Sequence, residues 1–170
     1  MEAVIRRYNE DAAQTIIGKY WGVANERSYW WTVESDNKQR FVTSDDGSNA
    51  YVPKSTNTVD ADTFHYVAIV KDSTTVTFYL DGIADGSGNA YGTLKDNVNY
   101  CCIGAVRKSD GTVGTYMDGI IDESTISYAA RPAAWIKATH YGLWDALLTY
   151  GDEETEAVSG ANILFIFSDF

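Results

Sequence analysis

Cysteine, histidine, proline and basic side chains are all scarce here. The 170 residues include two Cys, two His, two Pro and 13 Lys plus Arg against 24 Asp plus Glu, for a net charge of −11. Each shortage removes a class of function. Phosphate backbones are held by Lys and Arg, so nucleic acid is excluded as a partner, and an anionic membrane surface is disfavoured for the same reason. The two cysteines are neighbours, Cys101-Cys102, with no metal-ligand spacing and no disulfide framework. Neighbours on a strand point to opposite faces, so two packed or idle thiols are expected, and they do not identify a compartment. The longest apolar run, Ile163 to Phe167, is too short to cross a bilayer, and residues 1–20 lack the continuous apolar stretch of a signal peptide.

What the chain does have is aromatic side chains: twelve Tyr, five Trp and six Phe. Such residues suit pleated, half-buried surfaces. The stretch 65–86, HYVAIVKDSTTVTFYLDGIADG, carries the clearest pattern. Over 74–81, Val76, Phe78 and Leu80 alternate with Thr75, Thr77, Tyr79 and Asp81, which predicts a strand with one wet side. Over 64–71 both faces are apolar, which predicts a strand in the middle of a sheet. Asp72-Ser73 between them predicts an antiparallel hairpin, and Asp81-Gly82 and Asp85-Gly86 predict further turns. Residues 2–7, 14–20, 28–34, 39–44, 98–103, 117–126 and 162–168 read as strands as well. Loops over 44–50 and 107–114 separate some of them, and an acidic loop spans 150–160. Many short strands with this punctuation predict an all-β sandwich or barrel in a single domain, 1–170. One segment departs: 131–142 predicts a short helix with Pro132 at its first position and Gly142 at its stop, pinned by Trp135, Ile136 and Tyr141.

Four stretches in this order resemble one family. FHYVAIVKDSTTVTFYLDG resembles the central hairpin of laminin G-like domains in the concanavalin A-like lectin/glucanase superfamily. IGAVRKSDGTVGTYMDGIIDESTIS is similar to the segment downstream of it. AARPAAWIKATHYGLWDALLTYG resembles the helix that follows, and AVIRRYNEDAAQTIIGKY the early strand pair. The likeness spans roughly residues 3–151. It implies an antiparallel jelly-roll sandwich with a short helix near 132–141 and Val76, Phe78 and Leu80 in the core. Two residues depart from the pattern: Phe64 stands where the family usually has Trp, and Pro132 where a Ser often caps the helix. The resemblance also implies one or two strands upstream of residue 2. The last strand fills their place, or the chain is a piece of a longer one, or a neighbouring chain lends a strand, since an unfilled edge is a liability.

Function is read from candidate sites. Glucanases of this superfamily set acids at alternate strand positions, so that two carboxylates flank one glycosidic bond. Here Asp118 and Asp122 share a face, but Ile120 stands between them and Glu123 points away, so the pattern fails and no catalytic residue is assigned. No serine lies in a nucleophile elbow. His65 reads as a strand-surface residue and His140 as a helix-end residue rather than a base or ligand. The resemblance implies a structural calcium ion with Asp122 among its oxygen ligands; the alternative is that Asp122 caps neighbouring backbone N–H groups. Sugars are met by flat apolar rings beside polar groups. Trp30-Trp31 sends one indole to each face of its strand, and Trp21, Tyr51 and Tyr91 lie in or near loops. Trp21, Trp30, Tyr51 and Tyr91 are therefore the candidate ligand contacts. The expected function is a non-catalytic recognition or adhesion module, carbohydrate-binding, within a larger extracellular, cell-surface or virion protein. The rival expectation is a structural module that contacts a surface protein, or its own copies, through sheet edges; a glycoside hydrolase is a further alternative.

Overall fold

Residues of alternating character stack into two sheets with a shared greasy interior. The computed structural model describes residues 1–21, 25–107 and 112–146. Its elements in chain order are β1 (Glu2–Arg7), β2 (Gln14–Tyr20), β3 (Arg27–Val33), β4 (Lys38–Thr43), β5 (Lys54–Thr58), β6 (His65–Asp72), β7 (Thr75–Leu80) and β8 (Ile83–Asn89). There follow β9 (Cys102–Ile103), β10 (Val106–Arg107), β11 (Val113–Gly114), β12 (Gly119–Thr125) and one helix, α1 (Ala133–Leu143). One five-stranded sheet has the order β12-β1-β6-β7-β8 and the other β5-β4-β3-β2-β9, with β10 and β11 as a separate hairpin. All strand pairs among the described residues are antiparallel. This is the jelly-roll sandwich expected. The strand predicted at 162–168 and the acidic loop at 150–160 lie outside the described residues.

The two inner faces meet in one core. Ala3, Ile5, Val67, Ile69, Val76 and Phe78 from the first sheet face Ile16, Ile17, Trp31, Val33 and Phe41 from the second. Ile16 and Ile17 are both fully buried because the β2–β3 register shifts between Thr15 and Ile17. Leu80 packs at the margin of this core, so all three predicted β7 residues reach it. Inside it Gln39 Nε2 of one sheet donates to the Tyr79 carbonyl of the other at 2.9 Å.

A second cluster explains why β6 is apolar on both sides. Val4, Tyr66, Ala68 and Tyr79 lie on the outer face of the first sheet, where Ile136 of α1 covers them. Tyr79, expected on a wet face, is therefore buried, because a helix supplies the second layer. Of the three residues expected to pin the helix only Ile136 is buried: Trp135 is 48% exposed and Tyr141 37%, while His140 meets the Tyr66 ring instead. Pro132 is the N-cap rather than the first helical residue, and Gly142 lies inside the last turn. The β6–β7 turn falls on Ser73-Thr74, one residue later than predicted, since Asp72 pairs with Thr75. Asp81 and Gly82 form the next turn with φ of 50° and 77°, the left-handed pair that a two-residue hairpin turn requires.

A histidine–aspartate pair lies beside the helix. His65 Nδ1 lies 2.9 Å from Asp81 Oδ2, and Asp81 Oδ1 accepts the Tyr66 N–H at 3.0 Å. Burial pushes the Asp81 carboxyl up, but the bond and charge of His65, the Tyr66 N–H and the charge of His140 together hold it below its ordinary value. A depressed folded pKa gives stability that is present above the unfolded value near 3.9 and lost as pH falls through the folded value. The melting temperature is therefore expected to hold from pH 7 to about 5 and to drop below about pH 4. In Asp81→Asn the drop should be shallower; an identical acid limb in scanning calorimetry would remove Asp81 as a contributor.

Candidate functional site

Thr43 organises an aromatic pair, Tyr51 and Tyr91, at the surface of the sandwich. It closes β4 and exchanges backbone hydrogen bonds with Tyr51, 3.0 Å each way, extending the ladder beyond β5. Its hydroxyl accepts the Tyr91 N–H at 3.2 Å. Thr43 itself is fully buried, so one rigid residue fixes two loops forty positions apart. The rings of Tyr51 and Tyr91 stand with centroids 4.7 Å apart and planes tilted by 42°. Tyr51 is 42% exposed. Both line a depression of about 340 Å³ with Thr74, Asn89, Ala90 and Gly92.

The loop leading to Tyr51 is stiffened from within. Asp46 Oδ1 accepts the Ser48 N–H at 2.7 Å and the Asn49 N–H at 2.8 Å, and Oδ2 accepts the Asn49 amide at 2.8 Å. Those bonds hold the Asp46 carboxyl down to about 2, led by the contacts from Asn49. Gly47 has φ of 86°, and a side chain there would strike the Asn25 carbonyl at 1.8 Å, so the loop lies directly on its neighbour. Tyr91 is raised by burial and by the nearby charges of Asp45 and Asp46, with Tyr51 also contributing. Its phenol therefore stays protonated and can donate. Two ring faces, two phenols, an amide and a hydroxyl make a surface that can stack on a ring and bond to its hydroxyls. Asp46 is fully occupied in holding the loop, which suits a ligand platform rather than proton transfer.

The other candidate residues lie elsewhere. Trp30 is on the outer face of the second sheet. Tyr20 stacks on it from the β2 side, with centroids 4.8 Å apart and planes at 27°, while the Arg40 guanidinium sits 4.7 Å from its centroid on the β4 side. Its Nε1–H donates to Thr15 Oγ1 at 2.9 Å, and Arg40 pairs with Glu34 at 3.2 Å. Gly18 leaves it room, since a Cβ there would lie 2.9 Å from the Trp30 Cδ1. Trp30 is thus sandwiched, not open. Trp21 is half-buried, its backbone N–H donating to the Glu26 carbonyl at 3.3 Å. Asp118 accepts the Asn9 amide, and Asp122 Oδ1 accepts the Glu123 N–H at 2.8 Å. Asp122 lies opposite Val4 on the outer face of the first sheet, and Glu123 beside it takes φ of 49° where the register shifts in a bulge. Among the described residues no three of His, Cys, Asp and Glu gather as metal ligands. Cys101 is exposed and Cys102 half-buried, both as free thiols. Sequence reasoning missed Thr43, Thr74 and Asn89; Asn89 closes a strand, β8, whose glycines disguised it.

Two antiparallel sheets in jelly-roll order, with an aromatic platform at one end, define a lectin-like sandwich. A laminin G family model, described as concanavalin A-like lectin/glucanases superfamily, matches residues 2–137, and the chain belongs to that family. Among solved structures it is similar to a Bacteroides ovatus ATCC 8483 protein provisionally described as carbohydrate binding. The identity is 17% and the TM-score 0.62, over 80% of this chain and 38% of that one. It is also similar to the heptameric SAP-like pentraxin of Limulus polyphemus, at 12% identity and TM-score 0.61 over 82% of this chain and 67% of that one. The CBM40 of Ruminococcus gnavus IT-sialidase, bound to α2,3 sialyllactose, gives 14% and 0.61 over 82% and 80%. At these identities the likeness is one of fold, and the chain spans little more than a third of the Bacteroides protein. No curated protein matches the chain.

Proposed function

We propose that this chain is a non-catalytic carbohydrate-recognition module whose contact surface is the Tyr51–Tyr91 pair with Asn89 and Thr74. The observation that carries the reading is a tyrosine pair, Tyr51 exposed and Tyr91 half-buried, held by the buried Thr43. Preorganised rings bind without the entropic cost of ordering them. The carbohydrate-binding descriptions attached to two of the similar structures support the same reading. Negative charge at Asp45 and Asp46 beside Tyr91 favours a neutral saccharide over an acidic one. The module belongs, on this reading, to a larger extracellular or surface protein. A glycan array with the intact chain, followed by titration of the best binder, tests it. Tyr51→Ala and Tyr91→Ala should each weaken binding roughly tenfold to a hundredfold, the scale of losing one central aromatic contact. Unchanged affinity in both variants, or no glycan bound, would overturn the site.

The absence of a paired-acid arrangement at Asp118 and Asp122 supports a non-catalytic role; reducing-sugar release that disappears in Asp122→Asn would instead support a hydrolase. No cluster of three His, Cys, Asp or Glu side chains forms among the described residues, so a structural calcium ion at Asp122 would rest largely on backbone and amide oxygens. Metal content and a melting scan with and without chelator decide it, because a cation that binds the folded form raises its stability by mass action. A loss of several degrees on chelation supports the ion, and no change removes it.

One observation favours the protein-contact reading. Trp135, Tyr141 and Leu143 of α1 and its C-cap residue Trp144 are each more than a third exposed, apolar surface spread around the helix rather than buried under it. The bulged, acidic edge of β12 is a poorer candidate, since bulges and charges block edge pairing. Light scattering that finds a defined oligomer, together with an empty glycan array, would favour contact through the helix.

A further inference from the structure

The two sheets part at the end of the sandwich where β1 begins, leaving a cavity of about 760 Å³. That is within the range of sites for small molecules, about 300–1,000 Å³. Its floor is Phe41 and Ile69, which belong to the core, and Leu94 and Ile126 line its walls. Among the described residues, apolar groups thus reach from the interior to the surface with no side chain filling the space between them. The mouth is different. Lys19, Lys71 and Arg131 line it, three of only 13 basic residues in a chain of net charge −11. The lining contains one carboxylate, Glu2, and that is committed to Tyr66, whose hydroxyl donates to it at 2.5 Å.

The three cations differ in how freely they can meet a ligand. Lys19 pairs at 3.2 Å with Asp96, a side chain 99% exposed, so this bond is weak and replaceable. Arg131 lies 4.3 Å from the Trp135 ring centroid, a contact that leaves its N–H groups available. Lys71 donates to the Ser73 and Gly92 carbonyls at 2.8 Å each, and burial lowers its pKa, against the opposing charge of Asp72. A desolvated ammonium gains from an anion placed beside it.

We propose that this cavity binds a small amphipathic carboxylate, its acyl or ring body between the sheets and its carboxylate at Lys19, Lys71 and Arg131. Apolar burial supplies the affinity and the cations fix the orientation. The cavity adjoins the depression of the tyrosine pair, sharing Gly92 with it, but its apolar floor and cationic mouth suit a ligand of different chemistry. A lectin-like sandwich would then carry two ligands of unlike chemistry at one end.

Decanoate is the test probe, with decan-1-ol as its uncharged counterpart, each titrated into the intact chain by calorimetry and by amide chemical-shift mapping. Decanoate should bind with a dissociation constant below about 1 mM, shifting amides at 69–71, 92–94 and 126–131. Decan-1-ol should bind about tenfold more weakly. The double variant Lys19→Gln, Arg131→Gln should lose about tenfold for decanoate and nothing for decan-1-ol. Leu94→Trp fills the space and should abolish both; Ile126→Trp serves the same purpose if the first variant does not fold. Three results overturn the proposal: no decanoate binding, equal affinity for acid and alcohol, or full binding in a folded Trp variant, which would put the probe on the exposed aromatics of α1. Tyr51→Ala leaves this titration unchanged, so it fails or stands apart from the glycan reading.

Discussion

Trp31→Ala is expected to cost about 3–5 kcal/mol, the range for deleting a large core aromatic. Trp31 is fully buried on β3, flanked in register by Ile17 and Phe41. Its Nε1–H donates to Gln39 Oε1 at 3.2 Å, while Gln39 Nε2 crosses to the Tyr79 carbonyl of the opposite sheet and its backbone N–H meets Ser55 Oγ at 3.0 Å. Removing the indole opens a cavity and leaves a buried amide oxygen without its donor, which adds to the loss. Against a total of about 5–15 kcal/mol for a domain, that is a large share. The melting temperature should fall by roughly 6–20 °C. Trp31→Phe keeps most of the volume and should recover over half of the loss. Trp30→Ala, one residue earlier, removes a half-buried ring with its Tyr20 stack, its Arg40 contact and its bond to Thr15, all outside the core, and should cost about 1–2 kcal/mol. Equal losses at the two positions in urea titrations would mean that the facing of β3 is wrong.

That contrast shows what was legible and what was not. Adjacent tryptophans on a strand must face opposite ways, and the sequence said so; which one entered the core depended on the bulge in β2 and on the partners at Ile17 and Gly18. The β6–β7 hairpin was legible because strict alternation over 74–81 admits one facing. Its turn was displaced by one residue because Ser73 can itself take the left-handed conformation. The wet face assigned to Tyr79 failed for a physical reason: a helix sixty residues later covers it. β8 was unreadable, since Gly86 and Gly88 occupy strand positions where other backbone comes close. A Cβ on Gly88 would lie 2.4 Å from Pro53, and one on Gly86 2.7 Å from Thr56. β5 is a polar run, KSTNT, on a sheet edge, where burial does not force an apolar pattern.

The aromatic platform was legible only in pieces. Tyr51 and Tyr91 could be named as loop aromatics, but nothing local says that they meet. Their meeting depends on Thr43, whose strand position looks like any other inward-facing polar residue. Asp46 shows the same limit from the other side. Its loop contains the Asx-type spacing that lets a carboxylate collect successive N–H groups, yet that spacing alone does not distinguish a loop cap from a ligand. Chemistry assembled across sheets leaves no linear record, which is also why the cavity at the far end of β6 had no signature.

Arg7→Ala is expected to be about as damaging as loss of the core tryptophan, at about 3–5 kcal/mol. Arg7 ends β1 with no exposed surface, at the end of the sandwich opposite the cavity. Its Nη2 donates to the Val59 carbonyl and to Asn37 Oδ1 at 3.1 Å, and its Nη1 reaches the Asn9 carbonyl at 3.5 Å. One guanidinium therefore joins the first sheet to the β3–β4 turn and to the chain leaving β5. Glu10 braces the same junction, accepting the Asn37 amide and the Ala61 N–H at 2.9 Å each. With Arg7 gone, buried carbonyls lose their donor and the charge of Glu10 loses its counterpart, each a desolvation penalty with nothing opposite. Arg7→Lys keeps the charge but not the planar fork, so it should rescue less than half of the loss. Arg7→Met fills the volume without donors and should behave like alanine if the bonds matter, or like wild type if only packing does. Urea unfolding of the three variants separates these outcomes: alanine and methionine falling together, with lysine between them and wild type, is the result expected of a polar clamp between the sheets.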